Sequence, residues 1–314
     1  MLSDKAPIIP PAWHSAKLRG IMPRNPMKHA NQVSNVKTPA PPELAELRPG
    51  QSVELFKALH ILTRDGRMNQ DSRRKLKQVY HLIQFIEPLL REVIADRGSA
   101  QVADIGAGKS YLGFILYDLF FKTHDNASRI YGIEARHELV EKSVVLAREL
   151  GFTRMSFLNA NAASAVADAQ LPAQLDLVTA LHACDTATDD AIRFALARKA
   201  RYIVLAPCCQ AEVAAVLRKH KGAALGDTMT EVWRHPLHTR EFGSHLTNVL
   251  RCLQLEAHGY QVNVTELVGW EHSLKNELII ASFRDLPRAR PAKRLHELLE
   301  NFGLKELHER FAAP

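Results

Sequence analysis

Apolar positions change their period partway along this chain. Over residues 51–97 they recur at helical spacing. Leu55, Leu59 and Leu62 share one face of a helix predicted over 53–62, with Ser52 as its cap. A polar turn at Asp65-Gly66 follows. Leu76, Val79, Ile83, Ile86 and Leu90 then mark a longer helix over 71–95. From residue 101 short β-like runs alternate with helical ones. Strands are predicted at 101–105, 129–134, 153–158, 175–181, 201–206, 260–268 and 277–283. Helices fall between them at 111–122, 137–150, 186–198, 211–220 and 244–258. Such alternation specifies a parallel sheet with helices on both faces. The last two strands are separated by eight residues, too few for a helical crossover, so they are read as antiparallel neighbours. The predicted fold class is α/β: a Rossmann-like, seven-stranded, mostly parallel sheet with an antiparallel last strand and a helical N-terminal extension.

The chain divides accordingly. Residues 1–50 hold nine of the sixteen prolines and no acidic residue between Lys5 and Pro42, while Lys17, Arg19, Arg24, Lys28 and Lys37 add charge. Such a segment buries too little surface to offset its chain entropy and reads as a disordered basic arm. Residues 51–97 form the helical extension. Residues 98–284 form the main domain, with a polar, basic and histidine-rich insertion at about 219–242. There His220, His235, His238, Arg234 and Arg240 suit a substrate lid, and Trp233 either stacks on a base or anchors the loop. Residues 285–314 form a C-terminal amphipathic helix broken near Gly303. No apolar run is long enough to span a bilayer, and the N-terminus lacks the apolar core of a secretory signal. The four cysteines make no secreted framework, so a cytoplasmic location is expected. A formal net charge of +7 favours a polyanionic partner such as RNA. Arg73, Arg74, Lys75 and Lys77 oppose the dipole of their helix, so local stability does not explain them.

Chemistry concentrates after the first strand. That strand ends at Asp104-Ile105, and Gly106-Ala107-Gly108 let backbone amides approach a ligand closely. Glu134 ends the second strand, where a carboxylate can accept both hydroxyls of a ribose. Asn161, after the third strand, can read an adenine edge. Asp104 is buried in a strand and needs donors, which loop amides or a ligand ammonium would supply. A dinucleotide fingerprint fails because Tyr111 stands where its third glycine belongs. The run from Ala103 to Ser110 is one residue from a Walker A loop, but the preceding strand would then end near Val102, and no Walker B strand is found.

The loop Asp104-Ile105-Gly106-Ala107-Gly108-Lys109-Ser110-Tyr111-Leu112 resembles the G-x-G-K-x-Y-L cofactor loop of a poorly characterised group of class I S-adenosylmethionine-dependent methyltransferases. Leu181-His182-Ala183-Cys184 and Pro207-Cys208-Cys209 stand where that group carries its L-H-[AT]-C and P-C-C segments. Arg73 to Leu82 and Lys275-Asn276 also match. The resemblance covers roughly residues 70–283. It implies S-adenosyl-L-methionine as cofactor, held by Asp104, Gly106, Gly108, Lys109, Tyr111, Glu134 and Asn161. One departure is Asn161, where many class I enzymes have aspartate.

Methyl transfer needs an aligned nucleophile and, for many acceptors, a base. His182, Cys184, Asp185 and Cys208 follow strands four and five and are the catalytic candidates. His182 suits a general base; Asp185 either orients it or caps the helix starting near Thr186. Cys208 as nucleophile with Cys184 as helper would suit pyrimidine C5 methylation, while the commoner role of such cysteines is as small packed residues. Zinc is disfavoured, because vicinal Cys208-Cys209 lacks the spacing that closes on one ion. Cys252 reads as core. The reading is an RNA methyltransferase. The alternatives are a protein methyltransferase, a non-catalytic RNA-binding protein of the same fold, and a P-loop-like NTPase.

Overall fold

A computed structural model describes residues 46–124, 127–181, 183–208, 210–219, 231–267 and 277–311. Most of the basic arm, His182, Cys209, His220 and Lys275-Asn276 lie outside them, as does the side chain of Trp233.

Seven strands form one sheet in the order β3-β2-β1-β4-β5-β7-β6. They are β1 (Gln101–Ile105), β2 (Arg129–Glu134), β3 (Met155–Asn159), β4 (Leu177–Ala180), β5 (Tyr202–Leu205), β6 (Tyr260–Glu266) and β7 (Glu277–Phe283). The first five pair in parallel. β7 runs antiparallel to β6, as the short final connection required, and also to β5. The helices are α1 (Val53–Ala58), α2 (Gln70–Arg97), α3 (Tyr111–Leu119), α4 (His137–Glu149), α5 (Ala162–Ala165), α6 (Thr186–Ala197), α7 (Glu212–Lys219), α8 (Pro236–Ala257), α9 (Ala289–Asn301) and α10 (His308–Phe311).

Alternate residues of the strands feed cores on the two faces. Val102, Tyr202 and Val204 meet α1, α2 and α3; Ala103, Ile105, Ile203 and Leu205 meet α5 and α6. The helical extension therefore shares a core with the sheet. Tyr111 Oη donates to the Leu59 carbonyl at 2.9 Å, and the Ser52 amide to Asp118 Oδ2 at 2.8 Å, joining α1 to α3. A third core unites Val213 and Leu217 of α7, Leu246 and Leu250 of α8, and Leu295, Leu299, Leu307 and Phe311 of the C-terminal segment. That segment breaks at Gly303, in the left-handed region, as read from the sequence.

One boundary differs substantially. α8 begins at Pro236, inside the stretch read as an insertion. Its early core-facing positions are Thr239 and Gly243, too small or polar to show an apolar period. A Cβ at Gly243 would fall 2.6 Å from that of Ala214, so α7 and α8 touch there because no side chain intervenes. At the start of α2, Arg73 pairs with Glu46 at 2.6 Å and Arg74 with Asp71 at 3.6 Å.

Candidate functional site

The site lies at the carboxyl ends of β1, β2, β4 and β5. After Ile105 the chain turns through Gly106 at φ 64° and Gly108 at φ 59°. Side chains rarely adopt this conformation, which explains the two glycines. The Ala107 amide donates to the Ile133 carbonyl at 3.1 Å, and the Ser110 amide to Ala107 at 2.7 Å. A Cβ at Gly106 would sit 3.7 Å from Ala183, so this loop and the segment after β4 lie side by side.

Lys109 is exposed, whereas Ser110 is fully buried. A Cβ on Gly113 would lie 2.7 Å from Ser110 Oγ, and one on Gly132 at 3.5 Å. Those glycines leave the room that the hydroxyl occupies between α3 and β2. In a Walker loop the serine faces the metal of a nucleotide. Here it faces the domain interior, which removes the P-loop reading.

Glu134 closes the loop from the β2 side. Its Oε2 accepts the Gly108 amide at 2.7 Å; its Oε1 accepts the Arg136 amide at 3.0 Å and Arg136 Nε at 2.9 Å. Burial alone would raise this carboxyl, but the bonds from Arg136 and Gly108 outweigh it and hold the group below the usual carboxylate range. Asn159 Nδ2 donates to the carbonyls of Glu134 at 3.2 Å and Ala135 at 2.9 Å, fixing the end of β2 to β3. Asn161 is exposed, and its Oδ1 accepts the Ser164 amide at 2.8 Å, capping α5.

Asp104 is buried, and its donor is the Thr179 hydroxyl of β4 at 2.9 Å, a partner the sequence reading did not supply. Burial pushes the Asp104 carboxyl up to about 7, against the opposing effect of the Thr179 bond and with a further upward push from Glu134. Tyr111 bonds back to Leu59 and acts as a fastener of the extension.

At the other end, Asp185 adopts φ 52° and ψ −124°, an unusual conformation for a residue with a side chain. Its side chain does not cap α6, contrary to one expectation. Instead Oδ1 accepts the amides of Ala211 at 2.9 Å and Glu212 at 3.4 Å, tying the loop after β4 to the start of α7. The Asp185 carbonyl accepts from Arg251 Nη2 at 2.9 Å. Arg251 is fully buried and grips both oxygens of Asp189 at 2.7 and 2.9 Å. Arg251 and Gln210 both donate to Asn248 Oδ1, at 3.1 and 3.2 Å. One polar network therefore holds both loops. Beside it the Sγ atoms of Cys184 and Cys208 lie 3.3 Å apart. Cys184 is exposed and Cys208 half-buried. Cys252 packs against the second core, and burial, with Glu277 and Glu256, pushes its thiol up to about 12. Among the described residues no three His, Cys, Asp or Glu side chains are grouped to hold a metal ion, and no helix is long and apolar enough to cross a membrane.

Residues 74–216 match a family model described as a methyltransferase domain. A search of curated proteins finds no match. Among solved structures, the chain is similar to magnesium protoporphyrin IX methyltransferase from Synechocystis PCC 6803 with bound SAH. The identity is 15% and the TM-score 0.41, over 72% of this chain and 93% of that one. It is also similar to an SAH-bound methyltransferase of Podospora anserina, at 14% identity and a TM-score of 0.42, over 78% and 89%. Fibrillarin in a fibrillarin/Nop5p complex gives 16% and 0.38, over 60% and 74%. At such values these likenesses carry no argument about substrate.

The sheet order is Rossmann-like, and residues 74–216 within it match the methyltransferase-domain model. The residues at the ends of β1 and β2 fit S-adenosylmethionine chemically. Glu134 offers a carboxylate for hydroxyls, the glycine turn brings the backbone close, and Asp104 is a buried carboxyl with one donor.

Proposed function

We propose that this protein transfers a methyl group from S-adenosylmethionine to RNA. The observation that carries the reading is the glycine turn set against the Glu134 carboxylate at the ends of β1 and β2. Glu134 takes the ribose hydroxyls, with the Arg136 guanidinium giving way; its side chain is 61% exposed, so leaving costs little. Asp104 takes the ammonium group, and Gly106 and Gly108 admit the backbone-lined part of the cofactor. Lys109 follows the same turn, and Asn161 follows β3, the strand paired with β2. S-adenosylmethionine supplies a methyl on a sulfonium sulfur, open to in-line displacement. The acceptor enters between the loops after β4 and β5, where His182 serves as base and Asp185 keeps the two loops in register.

Charge supports RNA as the acceptor. The chain carries a net +7, and Lys75, Arg290 and Arg294 are exposed cations on helices. The experiment is transfer of labelled methyl from S-adenosylmethionine to total RNA, with total protein as the competing acceptor. Label in RNA nucleosides supports the reading; label confined to protein overturns it.

The contact between Cys184 and Cys208 favours one second reading, pyrimidine C5 methylation. The Cys208 thiolate would add to C6, C5 would take the methyl, and Cys184 would assist loss of the C5 proton and release of the thiolate. RNA carrying a 5-fluoropyrimidine tests it: that reading requires a covalent adduct that Cys208→Ala abolishes.

A further inference from the structure

We propose that Cys184 and Cys208 are a modification site, a thiol pair that closes to a reversible disulfide and arrests the methyl-acceptor end of the enzyme. The consequence for transfer rests on the function proposed above; the bridge itself does not.

Geometry carries the inference. A disulfide needs its sulfurs about 2.05 Å apart. The two Sγ atoms stand at 3.3 Å, so closure requires a shift of roughly an ångström between two side chains. The loops that carry them are already fastened alongside. Asp185, next to Cys184, accepts the Ala211 and Glu212 amides just beyond Cys208. Arg251 holds the Asp185 carbonyl and, through Asn248, the side chain of Gln210. The ordering that a bridge ordinarily imposes is thus present before it forms. Access is also provided. Cys184 is exposed, so a small oxidant reaches it from solvent. Cys252 is the internal contrast, since burial raises its thiol to about 12 and leaves it little thiolate.

The oxidant is a peroxide. The Cys184 thiolate attacks one peroxide oxygen, the O–O bond breaks, and a sulfenic acid and water form. Cys208 then attacks that sulfur, the S–O bond breaks, and a second water leaves. Two thiols lose two electrons and two protons while one peroxide becomes two waters. A dithiol reverses the change by exchange.

The bridge spans the loops between which the acceptor enters, and leaves β1, β2 and the glycine turn untouched. Full-length protein treated with hydrogen peroxide and mapped without reduction should show a Cys184–Cys208 linkage that dithiothreitol removes. Cys184→Ser and Cys208→Ser should each abolish it. S-adenosylmethionine should bind with unchanged affinity by calorimetry, while methyl transfer to RNA falls at least tenfold and recovers on reduction. A bridge through Cys209, or oxidation to sulfinic acid without a bridge, would overturn the proposal. A bridge that leaves transfer intact would overturn the arrest. Reduced protein that never methylates RNA would defeat the acceptor assignment, with the peptide map still deciding the bridge.

Discussion

Glu134 accepts the amide of Gly108 at 2.7 Å, so the last residue of β2 and the turn after β1 are set against each other by the chain itself. Glu134→Ala removes that tie and the hydroxyl acceptors together. Hydrogen bonds to a charged group contribute about 1.5–3 kcal/mol, so affinity for S-adenosylmethionine should fall roughly ten- to a hundredfold. Isothermal calorimetry measures it; unchanged affinity would remove Glu134 from the site.

Arg136 should behave oppositely. Its guanidinium occupies the carboxylate edge that the ribose requires. Arg136→Ala frees that edge and should tighten cofactor binding by up to about fivefold, since an exposed ion pair is worth about 1 kcal/mol or less. Weaker binding in this variant would mean that the arginine itself holds the cofactor.

Asp104 sets a pH dependence. Its folded carboxyl titrates at about 7 against an ordinary 3.8, chiefly through burial. Between those values the folded chain holds a proton that the unfolded chain has lost. The group's contribution is full at and below pH 3.8, declines as pH rises, and is gone above about 7. Asp104→Asn keeps the shape without the charge, so it should raise the melting temperature more at pH 8 than at pH 5. Equal effects at both pH values would mean that the carboxyl is not shifted.

Buried Arg251 and Asp189 form a bidentate pair. Arg251→Met leaves an uncompensated buried carboxylate and releases the strained Asp185 turn, at a cost of about 3–5 kcal/mol. Adding Asp189→Leu should recover a large part, because a well-packed apolar pair replaces an ion pair at little loss. Denaturant unfolding of the single and double variants tests this; an undiminished loss in the double variant would place the cost elsewhere.

The fold was legible because its strands are short apolar runs with helices between them, and period alone separates the two. The antiparallel final pair followed from a count of connecting residues. The start of α8 was hidden because its early buried positions are Thr239 and Gly243, the latter meeting Ala214 without a side chain. In the site, Gly106, Gly108 and Glu134 were legible from their order after the strands. Thr179 and Arg251 were not, because their roles depend on contacts 75 and 62 residues distant in sequence. Asp185 was readable as a helix cap, but its bonds run to α7 instead of α6.

Calorimetric titration of the full-length protein with S-adenosylmethionine, beside a parallel titration with ATP and magnesium, bears most directly on the glycine turn. One-to-one binding of S-adenosylmethionine, abolished by Gly108→Arg, with no heat from the nucleotide, is the predicted result. Binding of ATP with magnesium, or no binding of S-adenosylmethionine, would contradict it.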